Sequence, residues 1–165
     1  MQKKIMNKIG IYPGTFDPFT NGHLYLLKKS LKIFDTVILA ISKYSNKNLT
    51  FSISQRIKFA KLSTTGIKNI SIKSFNELVV NFALKEKSNF LIRGIRDSSD
   101  FAYEMKMLRT NYSINSKIET IFITNYCKNF ISSSMLKEIA FYKGDIKKYV
   151  SKKIIKEIEK KFLNY

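Results

Sequence analysis

Residues 8–23 read K-I-G-I-Y-P-G-T-F-D-P-F-T-N-G-H, and this order of residue types decides how the fold is expected to begin. The apolar run 8–12 predicts a short β-strand, which Pro13 and Gly14 end because both residues favour turns. Beyond the loop, apolar side chains recur at the spacing of one helical face, at Leu24, Leu27, Leu31 and Phe34. The stretch therefore predicts a strand, a loop and a helix in succession.

The same alternation continues along the chain. Residues 37–41, V-I-L-A-I, form an unbroken apolar run that is typical of a strand covered on both faces, and so predict a parallel sheet. Further strands are predicted near 70–74, at 90–92 and at 118–123. Helices are predicted from about Ser54, over about 77–87, behind the capping candidates 98–100, from 132–134 to about Tyr142, and behind a cap at Ser151.

Two of the predicted helices carry regular apolar spacing, at Phe101, Met105, Leu108 and Tyr112 in one and at Ile154, Ile155, Ile158 and Phe162 in the last. Strands and helices that alternate in this way predict an α/β fold, a doubly wound, Rossmann-like five-stranded parallel sheet with a C-terminal helical extension. The expected strand order is 3-2-1-4-5. Because no repeat or long linker interrupts the pattern, residues 1–165 are expected to form a single domain.

The formal net charge is +18 at pH 7, and a strongly basic domain is the electrostatic signature of a nucleic-acid-binding protein. Of the 30 basic residues, however, all but four are Lys, and they are scattered over every segment. A solvated, lysine-rich surface is the favoured interpretation, since no helix-turn-helix, RNP-like or zinc motif is visible. A small nucleic-acid-binding module stays as the alternative from a different class. Two of the four arginines, Arg93 and Arg96, stand in one short motif.

Cysteine content and hydropathy suggest where the protein resides. The single cysteine, Cys127, has no partner for an internal disulfide, and no secretory leader is recognisable. Apolar runs such as 37–41 are far shorter than the roughly 20 residues that cross a bilayer. We therefore expect a cytoplasmic protein with no membrane or nucleic-acid partner.

The loop between the first strand and its helix has the residues of a phosphate site. Gly14 permits close approach of the backbone, and Thr15 offers a hydroxyl. The sequence T-N-G-H at 20–23 sets His23 in the first turn of a helix, where free N–H groups and the helix dipole attract anions. His23 is the only histidine, and although a lone histidine is more often structural, this position favours a role with phosphates.

These motifs resemble those of the nucleotidyltransferase superfamily that carries H-x-G-H, and the threonine that opens T-N-G-H is similar to the phosphopantetheine adenylyltransferases within it. Residues 93–96, R-G-I-R, resemble that family's I-R-G-[LI]-R. Residues 100–104 resemble its D-F-x-Y-E, and 130–134 its F-I-S-S-S. The resemblance covers nearly the whole chain. It implies an enzyme of coenzyme A biosynthesis that moves AMP from ATP to 4′-phosphopantetheine and releases dephospho-coenzyme A and pyrophosphate.

The resemblance also implies roles for individual residues. His23 would be the catalytic residue, stabilising the transition state. The acceptor would be bound by Thr15, Lys47, Val79 and Arg93, with Val79 contributing a backbone group. ATP would be bound by Thr15, Phe16, His23, Gly94, Ile95, Arg96, Glu104, Lys128, Asn129, Phe130, Ile131, Ser132, Ser133 and Ser134. Both main motifs follow the first and fourth strands, which are neighbours at the switch point of the predicted sheet, where ligands bind.

Structural interpretations compete at several of these positions. Thr15 could be an ordinary turn hydroxyl, the serines 132–134 simple helix caps, and Glu104 a solvated carboxylate. Lys43 lies on the same loop as Lys47, and core packing would explain Val79 equally well. The loop 125–129 departs most from the family pattern, which leaves nucleotide contacts at Lys128 and Asn129 open and makes Cys127 a bystander thiol.

No cluster of His, Cys and carboxylates with the spacing of a metal site is visible, so no protein metal ligand is predicted. Mg²⁺ is expected to arrive with ATP, because this ion is often held largely through substrate phosphates. The resemblance further implies a homohexamer built from two trimers. A nicotinamide-mononucleotide or cytidylyl enzyme of the same superfamily is the nearest alternative, although such enzymes more often begin the motif with histidine.

Overall fold

The computed structural model describes residues 7–45, 48–124 and 131–163. In these ranges one parallel sheet has the strand order β3-β2-β1-β4-β5, as predicted. Its strands are β1 (Ile9–Gly14), β2 (Thr36–Ser42), β3 (Ile70–Phe75), β4 (Phe90–Ile95) and β5 (Glu119–Thr124). The helices are α1 (Asn21–Ser30), α2 (Ile53–Ser63), α3 (Val79–Lys85), α4 (Ser98–Ile114), α5 (Ser133–Phe141) and α6 (Ile155–Phe162). The doubly wound, Rossmann-like fold with a C-terminal helix is therefore confirmed.

The central strands are buried on both faces because successive side chains point to opposite sides of the sheet. One core combines Tyr12, Leu39 and Ile92 with residues of α1, α2, α5 and α6. The second core combines Ile11, Ile38, Ala40 and Leu91 with residues of α3. This explains why the sequence of β2 is continuously apolar rather than alternating. None of the helices in the described ranges is long and apolar enough to span a membrane.

Strands β1 and β4 are longer than the sequence pattern predicts. β1 continues through Pro13 and Gly14, paired in register with β2 up to Gly14 opposite Ile41. β4 continues through Arg93 and Gly94 to Ile95, which pairs with Thr124 of β5. The first three residues of the R-G-I-R motif thus lie in the strand itself rather than behind it.

Two predicted helix caps are wrong by a few residues. The cap of α4 is Asp97, outside the predicted 98–100, and its carboxylate accepts the Asp100 N–H at 2.8 Å. Ser151 does not cap α6, which begins at Ile155. Its hydroxyl instead accepts the Lys153 N–H at 3.4 Å and its carbonyl accepts the Ile154 N–H, so that Ser151 closes a turn before the helix.

The regular apolar spacing of α4 does not mark a core face. The residues that α4 buries are Glu104 and Asn111, whereas Phe101 and Tyr112 are 47% and 54% exposed. Phe101 lies edge-on to Phe122 of the edge strand β5, with ring centroids 6.0 Å apart. The helix therefore presents apolar side chains to its surroundings while it directs a carboxylate inward.

Candidate active site

The two main motifs meet at the carboxyl ends of neighbouring strands. Thr15 directly follows β1, and Arg93 lies near the end of β4. The Nη1 group of Arg93 donates to the Pro13 carbonyl at 3.2 Å, which joins the two strand ends. This is the switch point of the sheet, and it is where ligands bind in folds of this class.

His23 is built into the start of α1 as half of a capping box. Thr20 is the N-cap, and its hydroxyl accepts the His23 N–H at 3.4 Å. In return, the His23 Nδ1 atom accepts the Thr20 N–H at 3.0 Å. Capping boxes usually place Glu or Gln at this position. Because Nδ1 is an acceptor, the neutral ring carries its proton on Nε2.

The surroundings of His23 keep the ring neutral. Phe16 and Phe19 pack against it, with ring centroids 5.0 and 5.5 Å away. Burial, assisted by the positive charge of Arg96, lowers the pKa of His23 to about 4. At neutral pH the side chain is therefore an uncharged donor whose Nε2–H points away from the helix cap.

The position of the Phe16 ring explains why residue 14 is a glycine. Phe16 has a positive φ of 49°, and its ring folds back over the strand end. A Cβ atom at Gly14 would lie 2.9 Å from the Phe16 Cζ atom, too close for an ordinary contact. The sequence predicts close approach of the Gly14 backbone to a phosphate, whereas the close neighbour that the structure shows is this aromatic ring.

Arg93 is held by a carboxylate. Its Nε and Nη2 groups donate to the two oxygens of Glu104, at 2.7 and 2.5 Å. Burial opposes the charge of Arg93, but the hydrogen bonds and charge of Glu104 outweigh it and raise the pKa of Arg93. Glu104 is 7% exposed, so it is not the solvated carboxylate considered above. Of the five guanidinium N–H groups, two remain for a ligand after the contacts with Glu104 and Pro13.

Arg96 makes a similar bidentate pair with Asp100 in the first turn of α4. Its hydrogen bond with Asp100 raises the pKa of Arg96 above its already high value. Burial likewise raises the pKa of the nearby Tyr12 hydroxyl, against the charges of Arg93 and Arg96, so the phenol stays neutral beside two cations. Arg93 in β4 and Arg96 directly behind it are thus two cations near the loop of His23.

Helix α5 brings its serines to the same loop. Ser132 is the N-cap, and its hydroxyl accepts the Met135 N–H at 3.1 Å. The Ser133 hydroxyl donates to the Pro18 carbonyl at 2.9 Å, while Ser134 is exposed. Ser132 and Ser133 therefore have structural contacts, and the free N–H groups of the helix start lie beside the His23 loop.

The remaining predicted residues are placed as follows. Val79 is the first residue of α3 and packs partly buried against the second core. Gly94 and Ile95 close β4, and Ile131 packs against the first core. Lys47, Lys128, Asn129 and Phe130 lie outside the described residues.

The sequence analysis missed three residues that fix the backbone around Thr15 and His23. Asn21 lies within T-N-G-H, and its N–H and side-chain amide donate to the carbonyls of Tyr149 and Lys148, at 2.7 and 3.0 Å. Asp17 and Arg56 are buried below Thr15. Two features of the sequence could have indicated these residues. Asp17 stands inside the stretch 8–23, and Arg56 is one of only four arginines in the chain.

Comparisons with known proteins bear on the family of the chain. The cytidylyltransferase-like family model matches residues 11–139. A phosphopantetheine adenylyltransferase from Buchnera aphidicola subsp. Schizaphis graminum is 48% identical, covering 95% of this chain and 96% of its own. One from Nautilia profundicola is 42% identical, covering 90% and 97%.

Solved structures give the fold independently. A putative nicotinate-nucleotide adenylyltransferase from Vibrio parahaemolyticus superimposes with a TM-score of 0.68 at 18% identity, covering 96% of this chain and 93% of its own. A Plasmodium falciparum nicotinic acid mononucleotide adenylyltransferase complexed with NaAD has the same TM-score at 21% identity, covering 95% and 97%. At such identities the likeness concerns the fold. It is the near full-length relatives that decide the family, and this chain belongs to the phosphopantetheine adenylyltransferases, nucleotidyltransferases with a cytidylyltransferase-like domain.

Proposed function

We propose that this chain transfers AMP from ATP to the phosphate of 4′-phosphopantetheine and releases dephospho-coenzyme A and pyrophosphate. The observation that carries the proposal is His23, an uncharged imidazole whose Nε2–H is set by the Thr20 cap at a helix start. Phosphate oxygens are the ligands that such a helix start attracts. Family membership supplies the identity of the acceptor.

In the reaction, an oxygen of the acceptor phosphate attacks the α-phosphorus of ATP. The bond from that phosphorus to the bridging oxygen breaks, and pyrophosphate leaves with the electron pair. Catalysis of such a transfer rests on positioning and on donors aimed at the oxygens where charge accumulates. His23 donates to the α-phosphate, Arg93 uses its two remaining N–H groups on the acceptor phosphate, and Arg96 faces the departing pyrophosphate.

We infer that Mg²⁺ enters with ATP. In the ranges 7–45, 48–124 and 131–163, no three His, Cys, Asp or Glu side chains are grouped as metal ligands. The buried carboxylates of Asp17 and Glu104 already bind Lys137 and Arg93. Such a site suits an ion held by phosphates and water, and the ion would neutralise charge on the nucleotide phosphates.

The acceptor distinguishes this proposal from the nicotinate-nucleotide alternative that the fold neighbours suggest. Pyrophosphate release should require 4′-phosphopantetheine, because the nucleophile is its phosphate, and unphosphorylated pantetheine should be inert. We would measure pyrophosphate with ATP and each acceptor in turn, including nicotinic acid and nicotinamide mononucleotides. Turnover of pantetheine, or preference for a mononucleotide, would refute the proposed substrate.

The catalytic and capping roles of His23 can be separated by two variants. His23→Gln keeps an acceptor for the Thr20 N–H but lacks the imidazole, whereas His23→Ala lacks both. His23→Ala should lose about 100-fold to 1,000-fold in kcat, as expected on removal of a donor to the transition state, and His23→Gln should lose less, because its amide keeps an N–H donor. His23→Ala alone should lower the thermal midpoint, since a helix cap contributes about 1 kcal/mol.

The same variants test the protonation state. The folded pKa of about 4 lies below the ordinary 6.5, so the unfolded chain binds the extra proton between these values. The contribution of His23 to stability is therefore complete above pH 6.5 and is lost as the pH falls towards 4. The wild-type thermal midpoint should fall more steeply than that of His23→Gln over this interval. Parallel curves, or near-normal kcat in His23→Ala, would remove the neutral donor from the mechanism.

Arg93 and Glu104 should act as a unit on the acceptor. Glu104→Gln removes the charge that fixes the Arg93 fork but leaves its shape, and should raise the KM of the acceptor more than that of ATP. Arg93→Lys should have the larger effect, because an ammonium lacks the planar fork. Steady-state kinetics with each substrate varied would check this. The assignment is wrong if the KM of ATP rises while that of the acceptor stays unchanged.

We propose further that copies of the chain associate through α4, whose exposed apolar side chains form two stripes, Phe101 with Tyr112 and Tyr103 with Ile114, one on each side of the buried Glu104 and Asn111. Large side chains of this kind on a long helix are typical of an interface. The family resemblance favours a homohexamer. The same helix positions Glu104 against Arg93, so association would also stabilise the acceptor site.

Sedimentation velocity tests this association. Tyr112→Glu places a charge within the stripe that Tyr112 shares with Phe101 and should dissociate the assembly. The matched control is Tyr142→Glu, at an exposed tyrosine just behind α5, and should leave the assembly intact. A monomeric wild type, or dissociation by the control alone, would contradict the proposed interface.

A further inference from the structure

Two buried charged residues lie beneath the loop of Thr15. Arg56 on α2 is 1% exposed and Asp17 is 2% exposed. Buried charges are costly unless their hydrogen-bonding groups are satisfied, so their presence needs a physical reason. Apart from the ammonium of Lys137, which bonds to Asp17, the partners of both residues are backbone groups of the segments that border the candidate site.

Arg56 joins three segments through their carbonyl oxygens. Its Nη1 group donates to Thr15 O at 2.7 Å and to Ser42 O at 2.8 Å. Its Nε group donates to Phe51 O at 3.2 Å. One rigid guanidinium therefore connects the loop behind β1, the end of β2 and the start of α2.

Asp17 connects the same loop to the start of α2 from the other side. Its carboxylate accepts the N–H groups of Thr50 and Phe51, at 3.0 and 2.9 Å. It also accepts from the Lys137 ammonium at 2.9 Å, which ties in α5. Burial lowers the pKa of Arg56, and the negative charge of Asp17 acts in the opposite direction. Asp17 thus supports the charged form of Arg56.

We propose that Arg56, with Asp17, is a positioning residue for the phosphate subsite of Thr15. The Thr15 main chain is fixed from behind through its carbonyl, so its hydroxyl is held in place for the phosphate. Arg56 is too deeply buried to meet the substrate, and it acts through Thr15. This inference rests on the proposed adenylyl transfer for its kinetic readout.

The informative variant is Arg56→Lys, which keeps the positive charge but has one nitrogen, and so cannot replace both the Nη1 group that bonds to Thr15 O and Ser42 O and the Nε group that bonds to Phe51 O. We expect kcat/KM for the acceptor to fall about 10-fold to 100-fold, as for a small misplacement of a binding group. The matched control is Val37→Ala, which lowers stability at the opposite end of β2, where Val37 is fully buried and contacts none of these groups. Equal kinetic losses in the two variants at equal thermal midpoints would overturn the proposal.

A double-mutant cycle tests whether Arg56 acts through Thr15. Thr15→Val removes the hydroxyl and keeps the branched shape. If Arg56 serves to place that hydroxyl, Arg56→Lys should cause little further loss of kcat/KM in a chain that already carries Thr15→Val, because the effects of coupled residues are not additive. Fully additive losses would show that Arg56 does not act through Thr15.

A third measurement does not depend on the substrate. Amide hydrogen exchange at residues 15–17 should be faster in Arg56→Lys than in Val37→Ala, because the loop loses its anchor. Unchanged exchange would overturn the positioning role, whatever the enzyme's acceptor. An inactive wild type with faster exchange in the variant would instead refute the proposed function and leave the loop anchor standing.

Discussion

Charge neutralisation inside the protein is the constraint on which the candidate site depends. The site must attract phosphates, yet Arg93 is partly buried, where an unpaired charge is costly, and Arg96 is the more exposed of the two cations that face it. Arg93 is paired with Glu104 and Arg96 with Asp100, so α4 supplies both counter-charges. His23 meets the same constraint by remaining neutral. The positive field at the site is thus carried by groups whose positions are fixed before any ligand binds.

The sheet could be predicted from the sequence because its evidence is local and repeated. Apolar runs bounded by turn residues mark each strand, and the alternation with helices restricts the topology. The ends of the strands were harder to predict. β4 continues through Arg93 and Gly94 because β5 pairs with it, and the local sequence carries no sign of that pairing. The spacing of Phe101 and Tyr112 was helical, but periodicity cannot distinguish a core face from a face that lies outside the core.

The candidate site, too, could be predicted from the sequence only in part. The positions of Thr15, His23, Arg93 and Arg96 follow from motifs and from the order of the strands. Their partners do not, since Glu104 reaches Arg93 across eleven residues and Arg56 reaches Thr15 across forty-one. The capping role of His23 was hidden for another reason, because capping boxes are recognised by Glu or Gln. Tertiary contacts therefore decide what each predicted residue touches.

The anchoring of Asn21 to residues 148–149 has a consequence for how the protein matures on the ribosome. Asn21 belongs to the first helical turn, yet its amides bond to carbonyls 127 and 128 residues later. Contacts between such distant parts of a chain form late, because a long loop must first be closed. During synthesis the five strands emerge before this C-terminal segment does. A nascent chain can therefore assemble its sheet while the turn that carries His23 still awaits its last anchor.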